Sequence, residues 1–151
     1  MLRLSKKMWF TIEAVVDIAF HAGGQPVQSH QITRRQGIPK RYLEQALQQL
    51  VRAGILTGIR GPQGGYRLAR ERRRISIGEV VRVVQGMENQ SDPLAGRDGS
   101  ELATKVIHPL LMELQDNILA RLDDVTVADL CNRADRQGVA ADNRPNLDFN
   151  I

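Results

Sequence analysis

Three glycines and a proline fall within five residues at Gly61-Pro62-Gln63-Gly64-Gly65, a composition that helices do not tolerate. Ile55-Leu56-Thr57-Gly58-Ile59 and Tyr66-Arg67-Leu68-Ala69 flank it, so the segment reads as a two-stranded hairpin. The chain before it is helical. Met8, Ile12, Val15, Val16 and Ala19 recur at helical spacing over residues 5–22, with Ser5 as N-cap. Gly23-Gly24-Gln25-Pro26 stops this helix. A second helix fits Ser29 to Gln36, ended by Gly37. Pro39 opens a third at a position where its missing N–H costs nothing, and this helix runs to Ala53 before Gly54. Three helices and a hairpin form the winged helix-turn-helix pattern. The expected fold is mostly α: a winged helix-turn-helix domain with a long C-terminal dimerisation helix.

Ser76-Ile77-Gly78-Glu79 has the capping-box form and starts a fourth helix to Gln85. Gly86, Asp92-Pro93, Gly96 and Asp98-Gly99-Ser100 mark a loop over 86–100. A long amphipathic helix follows from Pro109 to Leu122, with a start as early as Glu101. Pro109 either opens it, with His108 near the cap, or kinks it. Thr126-Val127-Ala128-Asp129 is a second capping box, opening a short helix through Cys131. From Asp135 the polar tail reads as disordered. The organisation is therefore a DNA-binding domain over 1–85, a loop over 86–100, a dimerisation region over 101–134 and a tail over 135–151.

Charge divides the chain in the same place. Residues 1–74 carry 14 Lys and Arg against 4 Asp and Glu, a net +10; residues 75–151 carry 7 against 13, a net −6. A basic front half suits a polyanion partner. The apolar stretch behind Lys6 and Lys7 contains Glu13 and Asp17, which a secretory segment would not tolerate. No apolar run is long enough to cross a membrane. A cytoplasmic location is the expectation. One cysteine excludes an internal disulfide framework and multi-cysteine zinc modules. Only 4% of residues are aromatic, which argues against stacking platforms for single-stranded nucleic acid.

In the third helix, Leu43, Ala46, Leu47 and Leu50 form one apolar stripe. The opposite face holds Arg41, Gln45, Gln48 and Arg52, flanked by Lys40 and Glu44. A helix that enters the major groove needs such donors and acceptors: Arg pairs with guanine, Gln with adenine, and Glu accepts from cytosine. The bland alternative is a solvated face. The hairpin tip adds weight, because Gly61, Gln63, Gly64 and Gly65 offer backbone N–H groups with Arg60 at the base. Such a wing lies along the DNA backbone, with arginine in the minor groove. As a nucleotide loop it fails, lacking a Gly-Lys-Ser/Thr ending. Lys6, Lys7, Arg34 and Arg35 read as phosphate positioners. Arg70-Glu71-Arg72-Arg73-Arg74 reads equally as a DNA contact or a solvated linker.

Leu4-Ser5-Lys6, Tyr42-Leu43-Glu44-Gln45, Arg60-Gly61-Pro62-Gln63-Gly64-Gly65-Tyr66-Arg67-Leu68 and Ile77-Gly78-Glu79-Val80-Val81 together resemble the Rrf-two-type bacterial transcription regulators. The resemblance spans residues 1–134. It implies a homodimer, acting as a repressor on a palindromic site in double-stranded DNA. Each recognition helix enters the major groove and each wing the minor groove. It adds Ser5 and Tyr42 to the DNA-contacting set.

On the long helix, Ile107, Leu111, Leu114, Ile118 and Leu122 share a face that Leu110 and Leu119 widen. It reads as a dimer interface rather than an intrachain core helix. Iron–sulfur members of the family hold a cluster with three cysteines, whose positions fall near Pro93, Gly99 and Lys105, none of them cysteine. No cofactor is expected through that site. His108 falls where one subgroup places a histidine ligand. Cys131 reads as a small core thiol; the alternatives are a redox-sensitive thiol, an intersubunit disulfide or, with His108, part of an atypical iron–sulfur cluster. His21 ends the first helix, where a cation suits the dipole, and Trp9 reads as core packing towards the dimer helix. No activating group accompanies Cys131 and His108, so the chain is not read as an enzyme. The rival reading is an interaction module acting through a metabolic enzyme such as a cysteine synthase, as one branch of the family does.

Overall fold

The computed structural model describes residues 4–88 and 99–142. Helices α1 (Lys6–His21), α2 (Ser29–Gln36) and α3 (Lys40–Arg52) precede strands β1 (Leu56–Ile59) and β2 (Gly65–Leu68). Helices α4 (Ile77–Glu88), α5 (His108–Asp123) and α6 (Val127–Arg136) follow. The caps are those the sequence offers. Ser5 Oγ accepts from the Met8 N–H at 3.2 Å. Gly37, at φ +68°, closes α2 by donating its N–H to the Thr33 carbonyl. Ser76 and Glu79 exchange hydrogen bonds at the start of α4, as do Thr126 and Asp129 at α6.

One core receives the apolar stripes. Ala14, Val15 and Ile18 of α1 meet Ile32 of α2, Leu43, Leu47 and Leu50 of α3, and Val80 and Val81 of α4. Val127 and Cys131 of α6 are buried in the same cluster. Ile77 donates its N–H to the Val125 carbonyl and Val127 donates to that of Ile75, which stitches the starts of α4 and α6 together. The region read as 101–134 therefore divides: α6 joins the core of the front half, and α5 leans on it through Leu119.

β1 and β2 pair antiparallel, with Leu56 opposite Leu68 and Ile59 opposite Gly65. The hairpin is fixed to the body by reciprocal hydrogen bonds between Val27 and Tyr66, at 2.8 and 2.7 Å. Glycine is needed beside them. A Cβ on Gly65 would sit 2.5 Å from the Val27 carbonyl oxygen, and its φ is +147°; a Cβ on Gly64 would collide with the Ile59 carbonyl.

Several boundaries depart from expectation. α4 passes through Gly86 to Glu88, because one glycine costs a helix only about 1 kcal/mol. α6 continues past Cys131 to Arg136, and Asp142 beyond it bonds to Arg35 and His21, whereas a polar tail without structure was expected from Asp135. The rest of that tail, 143–151, and most of the loop, 89–98 with Pro93, lie outside the described residues. Pro109 stands in the first turn of α5, beside His108, so the helix proper opens there as one of the two readings had it. Helical backbone already runs from Glu101 and widens to a π-turn over Ala103–Ile107, where His108 donates its N–H to the Ala103 carbonyl five residues back. A proline ring clashes with the carbonyl four residues before it, and the wider turn moves that carbonyl aside.

Substituting Gly65→Ala is expected to lower stability by about 1–3 kcal/mol through backbone strain alone, and further through the Val27 collision. Gly61→Ala has comparable φ and open space around it, so it should cost less. Thermal unfolding of both variants checks this; equal losses contradict the packing account.

Candidate nucleic-acid interface

α3 presents two faces. Leu43, Ala46, Leu47 and Leu50 are fully buried, while Lys40, Arg41, Glu44, Gln45, Gln48 and Arg52 are exposed. The C-terminal half of that polar face turns towards the wing. Gln48 and Arg52 line an open cleft of about 620 Å³, whose other walls are Arg60 of the wing and Gln28, Ser29 and His30 at the start of α2. Gln28 ties these walls together. Its backbone N–H donates to Gln31 Oε1 at 2.9 Å, its side chain caps α2, and its Nε2 donates to the Pro62 carbonyl at 3.4 Å. Gln28, Ser29 and His30 are not among the expected DNA contacts; the Gln-x-x-Gln spacing, a reciprocal cap, is the local signal that marks this edge. Arg60, Gly61 and Gln63 are exposed on the wing.

Other expected contacts are spent inside the molecule. Tyr42 lies 2.7 Å from Thr11 Oγ1, donates to the Lys7 carbonyl at 2.9 Å and packs its ring near Phe10. It braces α3 against α1, and burial raises its pKa. Ser5 donates its hydroxyl to Glu88 at 2.7 Å, in addition to capping α1. Gly64 is buried and donates its N–H to the Gly61 carbonyl at 2.9 Å, and Gly65 lies against Val27. Both glycines serve the shape of the wing, and the expectation that Gly64 offers a free N–H is corrected. Arg35 is likewise withdrawn from phosphate duty, since Nε and Nη2 clasp the buried Asp17 carboxylate at 2.9 and 2.7 Å. Lys6, Lys7 and Arg34 remain exposed. Of the arginine run, Arg70 pairs with Glu79, Arg73 with Glu71, and Arg72 lies beside Cys131.

His21 is not the helix-capping cation expected. Its Nδ1 accepts the Asp142 N–H at 2.9 Å, which requires that nitrogen to be unprotonated. Burial and the Arg35 charge lower its pKa. Trp9 is 58% exposed, so within one chain it packs no core.

α5 is the other unsatisfied surface. Ile107, Leu111, Leu114 and Ile118 are each more than 40% exposed, as is Leu110. Leu119 is the stripe's buried member, and Leu122 packs partly against its own core. Both therefore anchor α5 within the chain, a correction to the expected interface. Leu4, Met8 and Val81 form an apolar groove of about 420 Å³ beside Leu111, Leu114 and Ile118.

The sensor candidates are far apart. Cys131 is fully buried on α6, and burial raises its thiol pKa against the pull of Arg72. His108 is exposed at the opposite end of α5, a helix of 16 residues and so roughly 24 Å long. Position 99 does face His108: a Cβ there would lie 3.9 Å from its Cε1. Glycine, however, brings no ligand. No group of three His, Cys, Asp or Glu side chains converges among the described residues. A cluster held by several thiolates does not fit these residues.

The chain matches the family described as "Rrf2: Iron-dependent Transcriptional regulator" over residues 4–133. It is 32% identical to the HTH-type transcriptional regulator IscR of Yersinia pseudotuberculosis over 140 residues, covering 92% of this chain and 85% of that protein. It is 31% identical to IscR of Vibrio atlanticus over 151 residues, covering 99% and 86%. Among solved structures it resembles T. potens IscR, with a TM-score of 0.71, 34% identity and coverage of 92% and 93%. It also resembles CymR, the global cysteine regulator of B. subtilis, with a TM-score of 0.68, 28% identity and coverage of 88% and 98%. With a winged helix-turn-helix fold and relatives that match along nearly its whole length, the chain belongs to the Rrf2 family of transcriptional regulators.

Proposed function

We propose that the protein is a cytoplasmic homodimer that represses transcription by binding a palindromic promoter site. The observation that carries this reading is the open cleft in which Gln48 and Arg52 of α3 stand across from Arg60 and the start of α2. Gln45, Gln48, Arg41 and Glu44 read base edges in the major groove. Arg60 enters the minor groove, and Lys6, Lys7, Lys40 and Arg34 hold phosphates. Gly61 and Gln63 carry the wing along the backbone. Tyr42 and Ser5 act indirectly, by holding α1 against α3 and α4.

The apolar face of α5 meets the same face of a second copy. Exposed contiguous apolar surface of this kind is rare on monomers, and a two-fold axis places two readers on successive turns of one duplex. Binding does not depend on an iron–sulfur cluster.

Four outcomes follow. Gln45→Ala should relax preference at one position per half-site by about 1–3 kcal/mol, whereas Lys7→Ala should weaken all sequences alike and reduce the salt slope by about 1. Titrations on operator and random duplexes at several salt concentrations separate the two; matching profiles for both variants contradict the assignment. Tyr42→Phe should cost about 1 kcal/mol of stability and leave the operator-to-random affinity ratio unchanged, while a changed ratio would make Tyr42 a base reader. Leu114→Glu with Ile118→Glu should give a folded monomer by light scattering with weakened operator binding; a persistent dimer places the interface elsewhere. Protein purified anaerobically should bind its operator without iron, and visible absorption with stoichiometric iron would contradict that.

A further inference from the structure

Asp17 is buried, and it accepts from Arg35 Nε and Nη2 and from Gln36 Nε2 at 2.8 Å. This satisfies one edge of the Arg35 guanidinium and leaves Nη1 facing outward. It faces a cleft of about 430 Å³ at the end of α1, lined by His21, Gln25, Gln31, Arg34 and Arg35. Asp142 occupies the mouth of that cleft. Its carboxylate accepts from Arg35 Nη1 at 2.9 Å, and its backbone N–H donates to His21 Nδ1 at 2.9 Å.

The cleft therefore asks for two things at once: a carboxylate for the outward Arg35 N–H, and an adjacent hydrogen-bond donor for His21. The Asp17 charge is spent beneath the floor on Arg35 and Gln36, and Arg34 adds a second cation to the wall. Only half of the Asp142 side chain is covered, against nearly all of Arg35. The occupant arrives on a short extension beyond Gly138, which turns with φ +77° after α6. A residue tethered in this way acts as a ligand at millimolar effective concentration, and a free molecule of the same chemistry competes with it.

We propose that this cleft is a binding site for small carboxylates that carry a neighbouring N–H donor, such as acylated amino acids, and that the chain fills it with its own Asp142. The segment 137–142 is then a displaceable strap across α1 and α2. Because α2 is the first helix of the DNA-reading unit, a ligand that displaces the strap acts on the helix that frames the interface cleft.

The test uses the full chain carrying Asp142→Ala, with N-acetyl-aspartate N-methylamide as the probe and its asparagine counterpart as control. The control keeps shape and N–H but lacks the charge. At mildly alkaline pH, where His21 Nδ1 is free to accept, NMR follows the His21 imidazole and the Arg35 Nε–H. The aspartyl probe should shift both signals saturably in Asp142→Ala, and several-fold more weakly in the wild type, where the strap competes. The asparaginyl control should shift neither. Asp142→Asn gives a second opened chain of nearly native shape. Failure of the probe to shift His21 and Arg35 in both variants, with their amide spectra otherwise native, overturns the proposal. Equal binding to wild type and variants overturns it too, since the probe would then bind elsewhere.

Discussion

Two hydrogen bonds between Val27 and Tyr66 decide where the wing stands. A two-stranded hairpin has little stability of its own in water. Here it borrows the body of the protein, because Val27, two residues before α2, acts as a third, one-residue strand. The approach is close enough that Gly65 tolerates no side chain against the Val27 carbonyl. From that contact follow the position of Arg60 opposite Gln48 and Arg52, and the hydrogen bond from Gln28 to Pro62. Glycine at positions 64 and 65 is thus a requirement of docking.

The second half of the molecule is built on a different balance. α5 has one buried anchor, Leu119, and an exposed ion pair between Arg82 and Asp123. Exposed pairs contribute little, so the apolar contact of Leu119 and Leu122 carries most of the docking within the chain. The remaining leucines and isoleucines face outward along most of the helix. A single copy leaves that surface wet, and the proposed symmetric pair would cover it. α6 returns to the core, where Cys131 is sealed beside Arg72. A thiol in that position is a packing element whose ionisation burial opposes.

Local chemistry made much of the fold legible. Ser5, Gly37, Ser76 and Thr126 acted as caps because each needs only neighbours within four residues. The apolar stripe of α3 was readable for the same reason. What escaped was tertiary. The pairing of Asp17 with Arg35 spans 18 residues, and nothing local marks Arg35 as withdrawn from phosphates. Tyr42 sits on the exposed side of a helical wheel, yet a hydroxyl from α1 claims it. Trp9 has the periodicity of a core residue in company with Met8 and Ile12, yet its side chain stays more than half exposed. Asp142 lies in a polar stretch with no periodic pattern, and its two partners are more than 100 residues away. At Pro109 the sequence posed a choice between a start and a kink; α5 starts there, and what no local pattern marked is the π-turn just before it.

The central claim is that two copies of one reader, α3 with its wing, face a single duplex. Selection of bound sequences from a random duplex pool, using the full-length chain, tests it most directly. The account predicts a two-fold palindrome with half-site centres one helical turn apart, about 10–10.5 base pairs, or a multiple of that. An enriched single half-site without symmetry, or no enrichment above random DNA, would contradict it.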